Sequence, residues 1–142
     1  MHILFIPSWY PQDDKDFGGS FFREQAEAFV PDHQVGVLAL KTFPIYRVRE
    51  YARGTRSELT YSDERGVNVV RLNRVSPVPK MHRLNNALAI RDVRRAYRDY
   101  VASFGAPDVL HSHSMFDAGI WSAALAEEQG IPFVLTEHRP SS

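Results

Sequence analysis

The sequence predicts an α/β domain with a Rossmann-like, doubly wound and mostly parallel sheet, helices on both faces and a hairpin in the middle. The predicted strands are short, continuous apolar runs, which is typical of strands buried on both faces. These runs alternate with amphipathic helices in the order β-α-β-α-β. Ligands bind such sheets outside the carboxyl ends of the strands, so the residues after each strand are the first candidates for a site.

The first part of the chain predicts strand, loop, helix and strand. The apolar run His2–Ile6 is too short for a helix and is ended by Pro7. A long loop leads to a helix over Ser20–Val30, where apolar residues recur at helical spacing. A second buried strand is predicted at Gln34–Leu40. Residues Lys41–Ser57 have no periodicity, which indicates a loop.

The middle of the chain predicts a hairpin followed by the longest helix. Two runs of β-forming residues, 58–62 and 67–72, flank the turn-rich residues 63–66. The helix covers Arg83–Phe104 and is ended by Gly105 and Pro107. Its apolar face is predicted to hold Leu84, Leu88, Val93, Tyr97, Tyr100, Val101 and Phe104. The remaining elements alternate in type: strand Asp108–Ser112, a helix over about 116–129, and strand Pro132–Thr136.

Composition excludes several classes of protein. A chain of 142 residues is long enough to fold as one domain around its own core. It contains no cysteine, which excludes disulfide scaffolds, thiolate nucleophiles and cysteine-based zinc sites. No apolar run approaches the roughly 20 residues of a membrane span, and no secretion signal opens the sequence. We therefore expect a cytoplasmic protein.

The net charge is zero, but the basic residues are concentrated in the middle of the chain. Residues 41–100 carry a charge of +8, and the segments on either side carry −4 each. Within the long helix, four arginines recur at steps of three and four, opposite the apolar face: Arg91, Arg94, Arg95 and Arg98. Such a stripe can rest on anionic lipid headgroups, or it can be an ordinary solvated face. The aromatic residues do not interleave with the basic ones, which argues against nucleic-acid binding.

Two adjacent glycines form a candidate anion site. Gly18 and Gly19 directly precede the predicted helix start at Ser20, where free backbone N–H groups and the helix dipole stabilise negative charge. A diphosphate would fit such a site, although a flexible turn would also use two glycines. The chain lacks G-x-G-x-x-G and a lysine-bearing phosphate loop, which argues against NAD binding and ATP hydrolysis.

Histidines follow two of the predicted strands. His111 and His113 are two positions apart on one strand, and Glu137 and His138 follow the next strand. Neutral imidazoles both donate and accept hydrogen bonds, which suits a ligand rich in hydroxyl and phosphate groups. Zinc is a weaker alternative because a His-x-His pair still needs a third ligand, and His111 could instead be structural. Three further histidines are interpreted as structural: His2, His33 and His82.

Four segments of the sequence resemble one protein family. These are I-L-F-I-P-S-W-Y-P (3–11), G-G-S-F-F-R-E-Q-A-E-A-F (18–29), P-D-V-L-H-S-H (107–113) and G-I-P-F-V-L-T-E-H (130–138). In this order and spacing they look like the N-terminal half of family 4 glycosyltransferases, which are retaining enzymes of the GT-B fold. The resemblance covers both ends of the chain well and the middle poorly.

The resemblance implies transfer of a sugar from a nucleotide-sugar donor to a glycan or lipid-linked acceptor, as in the biosynthesis of cell-envelope polysaccharides. Gly18, Gly19 and Ser20 match the family's diphosphate-binding loop. His113 matches its histidine beside the reacting sugar, and His138 matches a histidine lining the same cleft. These roles are orientation and electrostatic stabilisation, and they require neither a cofactor nor a metal. In related enzymes a basic middle helix contacts membranes, which implies a peripheral position on the inner face.

The family's donor-binding half has no counterpart in residues 1–142. We therefore expect a single acceptor-side domain that does not transfer sugar unaided. The competing interpretation is a non-enzymatic α/β module that binds a phosphorylated ligand or a protein partner. Apolar surface left open by missing elements would also favour a homodimer.

Overall fold

A computed structural model of the chain describes residues 1–7, 20–44, 59–76, 82–113 and 119–136. Its elements follow the predicted order of types. In chain order they are β1 (His2–Pro7), α1 (Ser20–Phe29), β2 (Gln34–Pro44), β3 (Leu59–Glu64), β4 (Val67–Ser76), α2 (His82–Phe104), β5 (Val109–His113), α3 (Ile120–Gln129) and β6 (Phe133–Thr136).

The strands form one six-stranded sheet in the order β3-β4-β2-β1-β5-β6. Every pairing is parallel except that of β3 with β4, which is antiparallel. Two apolar clusters cover the two faces. On one face α2 and α3 pack on the sheet around Leu4, Leu38 and Leu110. On the other face α1 packs around Phe5 and Val37. The α/β class and the helices on both faces are confirmed.

The β3–β4 hairpin is tighter than predicted. The turn was expected to take up four residues, 63–66, but β3 continues through Glu64 and only Arg65 and Gly66 connect the strands. Both connecting residues have positive φ, 58° and 88°, as a two-residue turn of type I′ requires. Gly66 has the conformational freedom for this position, and its N–H donates to Asp63 Oδ1 at 2.9 Å.

The prediction that residues 41–57 form a loop is wrong for its first four residues. β2 continues to Pro44 because β4 offers it a parallel partner from Gly36↔Asn68 to Pro44↔Ser76. Backbone hydrogen bonds supplied by a neighbouring strand do not need an alternating side-chain pattern. Residues 45–57 lie outside the described part of the chain.

The long helix α2 agrees with prediction at its C-terminal end and differs near its start. Val93, Tyr97 and Tyr100 are buried against the sheet as expected. Leu84, which was placed on the same apolar face, is 41% exposed. The helix therefore contributes to the core mainly through its second half.

Candidate functional site

The sheet has a topological switch point at β1, which lies between β2 and β5. From β1 the chain passes through α1 to β2 on one side, and from β5 it passes through α3 to β6 on the other side. These two helices cover opposite faces of the sheet. Open α/β sheets bind their ligands at such a point, outside the carboxyl ends of the strands, and here those ends belong to β1 and β5.

Three strand ends meet in one row at this edge. Pro7, the last residue of β1, is in register with His113, the last residue of β5. His113 is in register with Thr136, the last residue of β6. Neighbouring strands lie about 4.8 Å apart, so this row brings the backbones of all three residues within about 10 Å. The structure thus brings His113 to the switch point.

His111 is half-buried and contacts both neighbouring strands. Its ring stacks on Phe5 of β1, with ring centroids 5.0 Å apart and 27° between the planes. Its Nε2 is hydrogen-bonded to Thr136 Oγ1 of β6 at 2.7 Å. Burial lowers the pKa of His111, which favours the neutral imidazole. The structural interpretation left open for His111 thus describes its observed contacts.

Of the five other residues predicted to form the site, the structure describes one, Ser20. Ser20 is the first residue of α1, which fixes where the helix begins. Gly18, Gly19, Glu137 and His138 lie outside the described residues. Their assignment to a diphosphate site and a cleft stays a prediction.

Two of the histidines interpreted as structural lie at the opposite edge of the sheet, near the amino ends of the strands. His2 is 7% exposed, and its Nε2 is hydrogen-bonded to the Tyr100 hydroxyl at 2.5 Å. Its backbone N–H donates to Asp108 Oδ2 at 2.7 Å. His33 is half-buried beside Phe29, with ring centroids 5.9 Å apart. The structural role of His2 is confirmed. His82, the third, is the first residue of α2.

An open groove lies at this amino edge and is lined in part by His2, Asp32, His33 and Asp108. Its most buried polar group, the His2 imidazole, is already bonded within the fold, and Asp108 accepts from the His2 backbone. The groove is also on the far side of the sheet from the switch point. We therefore place the candidate site at the carboxyl edge.

One of the four arginines in the predicted stripe on α2 has an ion-pair partner among the described residues. Arg91, Arg95 and Arg98 are exposed. Arg94 instead turns towards α3, where its Nε donates to Glu128 Oε2 at 2.9 Å and its Nη2 donates to Glu128 Oε1. This hydrogen bonding lowers the pKa of Glu128. The prediction missed the pairing because the two residues are far apart in sequence.

Sequence reasoning also missed two ion-pair clusters that hold the helices on the sheet. Glu64 of the hairpin accepts two hydrogen bonds of 2.8 Å from Arg71, and Arg23 in the first turn of α1 lies 3.9 Å from the same carboxylate. Near the carboxyl end of β4, Arg74 is 5% exposed and its Nε donates to Asp92 of α2 at 2.8 Å. Each of these groups joins different elements, so no pattern within a single element predicts it.

Two findings bear on partners. Among the residues that the structure describes, no three His, Asp or Glu side chains are grouped so that they could hold a metal ion. None of the described helices is long and apolar enough to cross a membrane.

A mostly parallel sheet, helices on both faces and a topological switch point define an α/β domain of the class that binds ligands at the carboxyl edge of the sheet. The sequence model described as Glycosyltransferase Family 4 matches residues 19–142, which is most of the chain. The chain belongs to this family, and the resemblance inferred from the sequence is confirmed. A search of curated proteins gave no match.

Proposed function

We propose that this chain is the acceptor-side domain of a retaining glycosyltransferase, which moves a sugar from a nucleotide-sugar donor to a glycan or lipid-linked acceptor. Membership of the family implies glycosyl transfer in general, with a sugar donor and an acceptor as substrates. The single observation that carries the finer proposal is the row Pro7–His113–Thr136 at the switch point. That row puts a histidine where an α/β sheet binds its ligand.

In this proposal the chemistry is preorganised electrostatics. Gly18, Gly19 and Ser20 hold the donor diphosphate at the start of α1, where N–H groups without helical partners stabilise the charge that builds up on the leaving group. His113 hydrogen-bonds the reacting sugar and acts as the catalytic group. Glu137 and His138, which directly follow β6, line the same cleft.

Titration of the chain with UDP, GDP and ADP, and with UDP-glucose and GDP-mannose, tests the donor site. We expect saturable binding of at least one nucleotide, seen by calorimetry. Gly19→Asp places a carboxylate against the diphosphate and should abolish the binding. Ala102→Asp adds the same charge at an exposed position near the end of α2 and should leave binding unchanged. Absence of binding to every nucleotide refutes the proposal, as does equal weakening by both variants.

The location of the sugar is tested separately by NMR. Addition of the nucleotide sugar that binds should shift the imidazole resonances of His113. The resonances of His33, at the opposite edge of the sheet, should stay in place. A shift at His33 and none at His113 would assign the ligand to the amino-edge groove instead.

The same proposal includes peripheral contact with an anionic membrane surface through α2. Arg91, Arg95 and Arg98 are exposed, and within the described part of the chain none of them has an ion-pair partner. Arg95→Gln should weaken flotation with phosphatidylglycerol vesicles. Arg94→Gln is the matched control, because Glu128 already pairs with Arg94 and its removal should matter less. Equal effects of the two variants, or flotation that needs no anionic lipid, refutes the contact.

A further inference from the structure

One side chain of β5, His111, contacts both of the strands next to it at the proposed site, β1 and β6. Its ring stacks on Phe5 of β1, its backbone belongs to β5, and its Nε2 is bonded to Thr136 of β6. The imidazole therefore links β1, β5 and β6 on the same face of the sheet as α1. This pattern of contacts differs from that of a side chain that fills a core.

The bond to Thr136 runs diagonally towards the carboxyl edge. His111 is in register with Val134, whereas Thr136 is in register with His113, two residues further along β5. The hydrogen bond therefore ties the middle of β5 to the last residue of β6. It fixes the row that carries His113, at the point from which Glu137 and His138 continue.

β6 needs such a tie more than the other strands do. It has four residues, and among the described strands it is the shortest, lies at the edge of the sheet and pairs with β5 alone. Val134 in its middle is 47% exposed. Short edge strands with few buried contacts open locally at low free-energy cost, so a side-chain bond at the strand end has a large effect on local order.

The bond pairs a neutral imidazole with a hydroxyl. Burial favours the uncharged ring, and neither partner brings a charge that water would compete to solvate. Phe5 is 1% exposed, and its ring stacks on the His111 imidazole and fixes the plane of that ring. The two contacts thus orient the imidazole, and its burial favours the neutral form.

We propose that His111 is a positioning residue for sugar transfer: its imidazole holds Thr136 in the row of strand ends, in register with His113. The role of His111 in sugar transfer rests on the proposed function. The geometric part, a bond that orders the end of β6, stands on the described contacts. Under this proposal His111 acts through Thr136 and does not itself touch the substrate.

The test compares variants that remove the bond with one that keeps it. Thr136→Val preserves shape and removes the hydroxyl, whereas Thr136→Ser retains the hydroxyl. His111→Phe keeps an aromatic ring on Phe5 and removes Nε2. The first readout, which needs no ligand, is the amide chemical shifts and hydrogen-exchange rates at His113, Thr136 and Glu137, with the urea unfolding free energy measured in parallel.

We expect Thr136→Val and His111→Phe to shift these amides and speed their exchange, and Thr136→Ser to resemble the wild type. The double variant should add little to either single change, because both remove the same bond. The second readout is the affinity for the nucleotide sugar that the wild type binds. It should fall at least about tenfold in Thr136→Val and stay within about twofold in Thr136→Ser.

The outcomes separate the two hypotheses. A wild-type chain that binds no nucleotide sugar defeats the proposed function, and the amide measurements still decide whether the bond orders the strand end. Unchanged amides in Thr136→Val overturn the positioning role. So does a uniform change across the whole sheet that follows the loss of global stability, or a loss of affinity in Thr136→Ser equal to that in Thr136→Val.

Discussion

Substitution of Gly36 by alanine should destabilise the domain because of one buried tyrosine. An ideal Cβ on Gly36 would lie 2.0 Å from the Tyr100 hydroxyl oxygen and 2.4 Å from two of its ring carbons. Ordinary contact begins at 3.4 Å, so the ring would have to move by more than 1 Å. Tyr100 is fully buried between the sheet and α2 and has no free space to move into.

The expected change combines two destabilising effects and one smaller stabilising effect. Overpacking of a tight core costs about 1–3 kcal/mol. Displacement of Tyr100 also breaks its bond to the buried His2 imidazole, which adds about 1–3 kcal/mol for a polar group left without its partner. Alanine also lowers the conformational entropy of the unfolded chain, which offsets about 0.4–1 kcal/mol of this destabilisation. We therefore expect Gly36→Ala to lower the free energy of unfolding by about 3 kcal/mol.

Urea denaturation followed by circular dichroism measures this change, and a double-mutant cycle with Tyr100→Leu identifies its cause. Leucine lacks the three atoms that the new Cβ would meet, so in that background Gly36→Ala should cost less than about 1 kcal/mol. All four proteins are compared in the same stabilising osmolyte, so that the weakest of them stays folded. If the two substitutions add to within about 0.5 kcal/mol, the steric explanation is refuted.

Two further predictions concern charge. Burial lowers the pKa of both His2 and His111, so below about pH 6.5 the unfolded chain binds more protons than the folded chain. The free energy of unfolding should therefore fall as the pH drops from about 6.5 towards the folded-state pKa values. Replacement of either histidine by glutamine should flatten the dependence of the urea midpoint on pH. Asp92→Ala removes the carboxylate that Arg74 needs in its buried position and should cost about 3 kcal/mol of unfolding free energy, whereas the apolar pair Arg74→Met with Asp92→Leu should cost much less. The exposed Arg94 is the comparison, since Arg94→Gln should change the midpoint little, and not at all in about 1 M salt.

The order of the elements could be predicted because each one is encoded locally. Apolar runs such as His2–Ile6 and the helical spacing in α2 do not depend on distant partners, and the glycine and proline residues between them mark the ends. The parallel sheet followed from the continuous apolar strands. The length of β2 was missed for the opposite reason, since its last residues, Lys41–Pro44, are held by the backbone of β4.

The side-chain pairs of the fold could not be predicted, and distance along the chain explains why. Arg94 and Glu128 are 34 residues apart, and His2 and Tyr100 are 98 apart. Sequence patterns report which face of an element is apolar, but they carry no information on which residue of another element comes to lie opposite. For the same reason the sequence did not reveal that Arg94, a member of the arginine stripe, pairs with Glu128.

The candidate site is selected by register more than by any motif. Along β5, Leu110 and Ser112 are fully buried on the face of α2 and α3, so His111 and His113 occupy the alternate positions. A slip of one residue between β1 and β5 would exchange these faces, put His111 into the apolar cluster and break its bond to Thr136. Because the burial of Leu110 opposes such a slip, the core of the domain decides which histidine reaches the end of the strand. A variant that damages this core should therefore disturb the site at His113 before it unfolds the sheet.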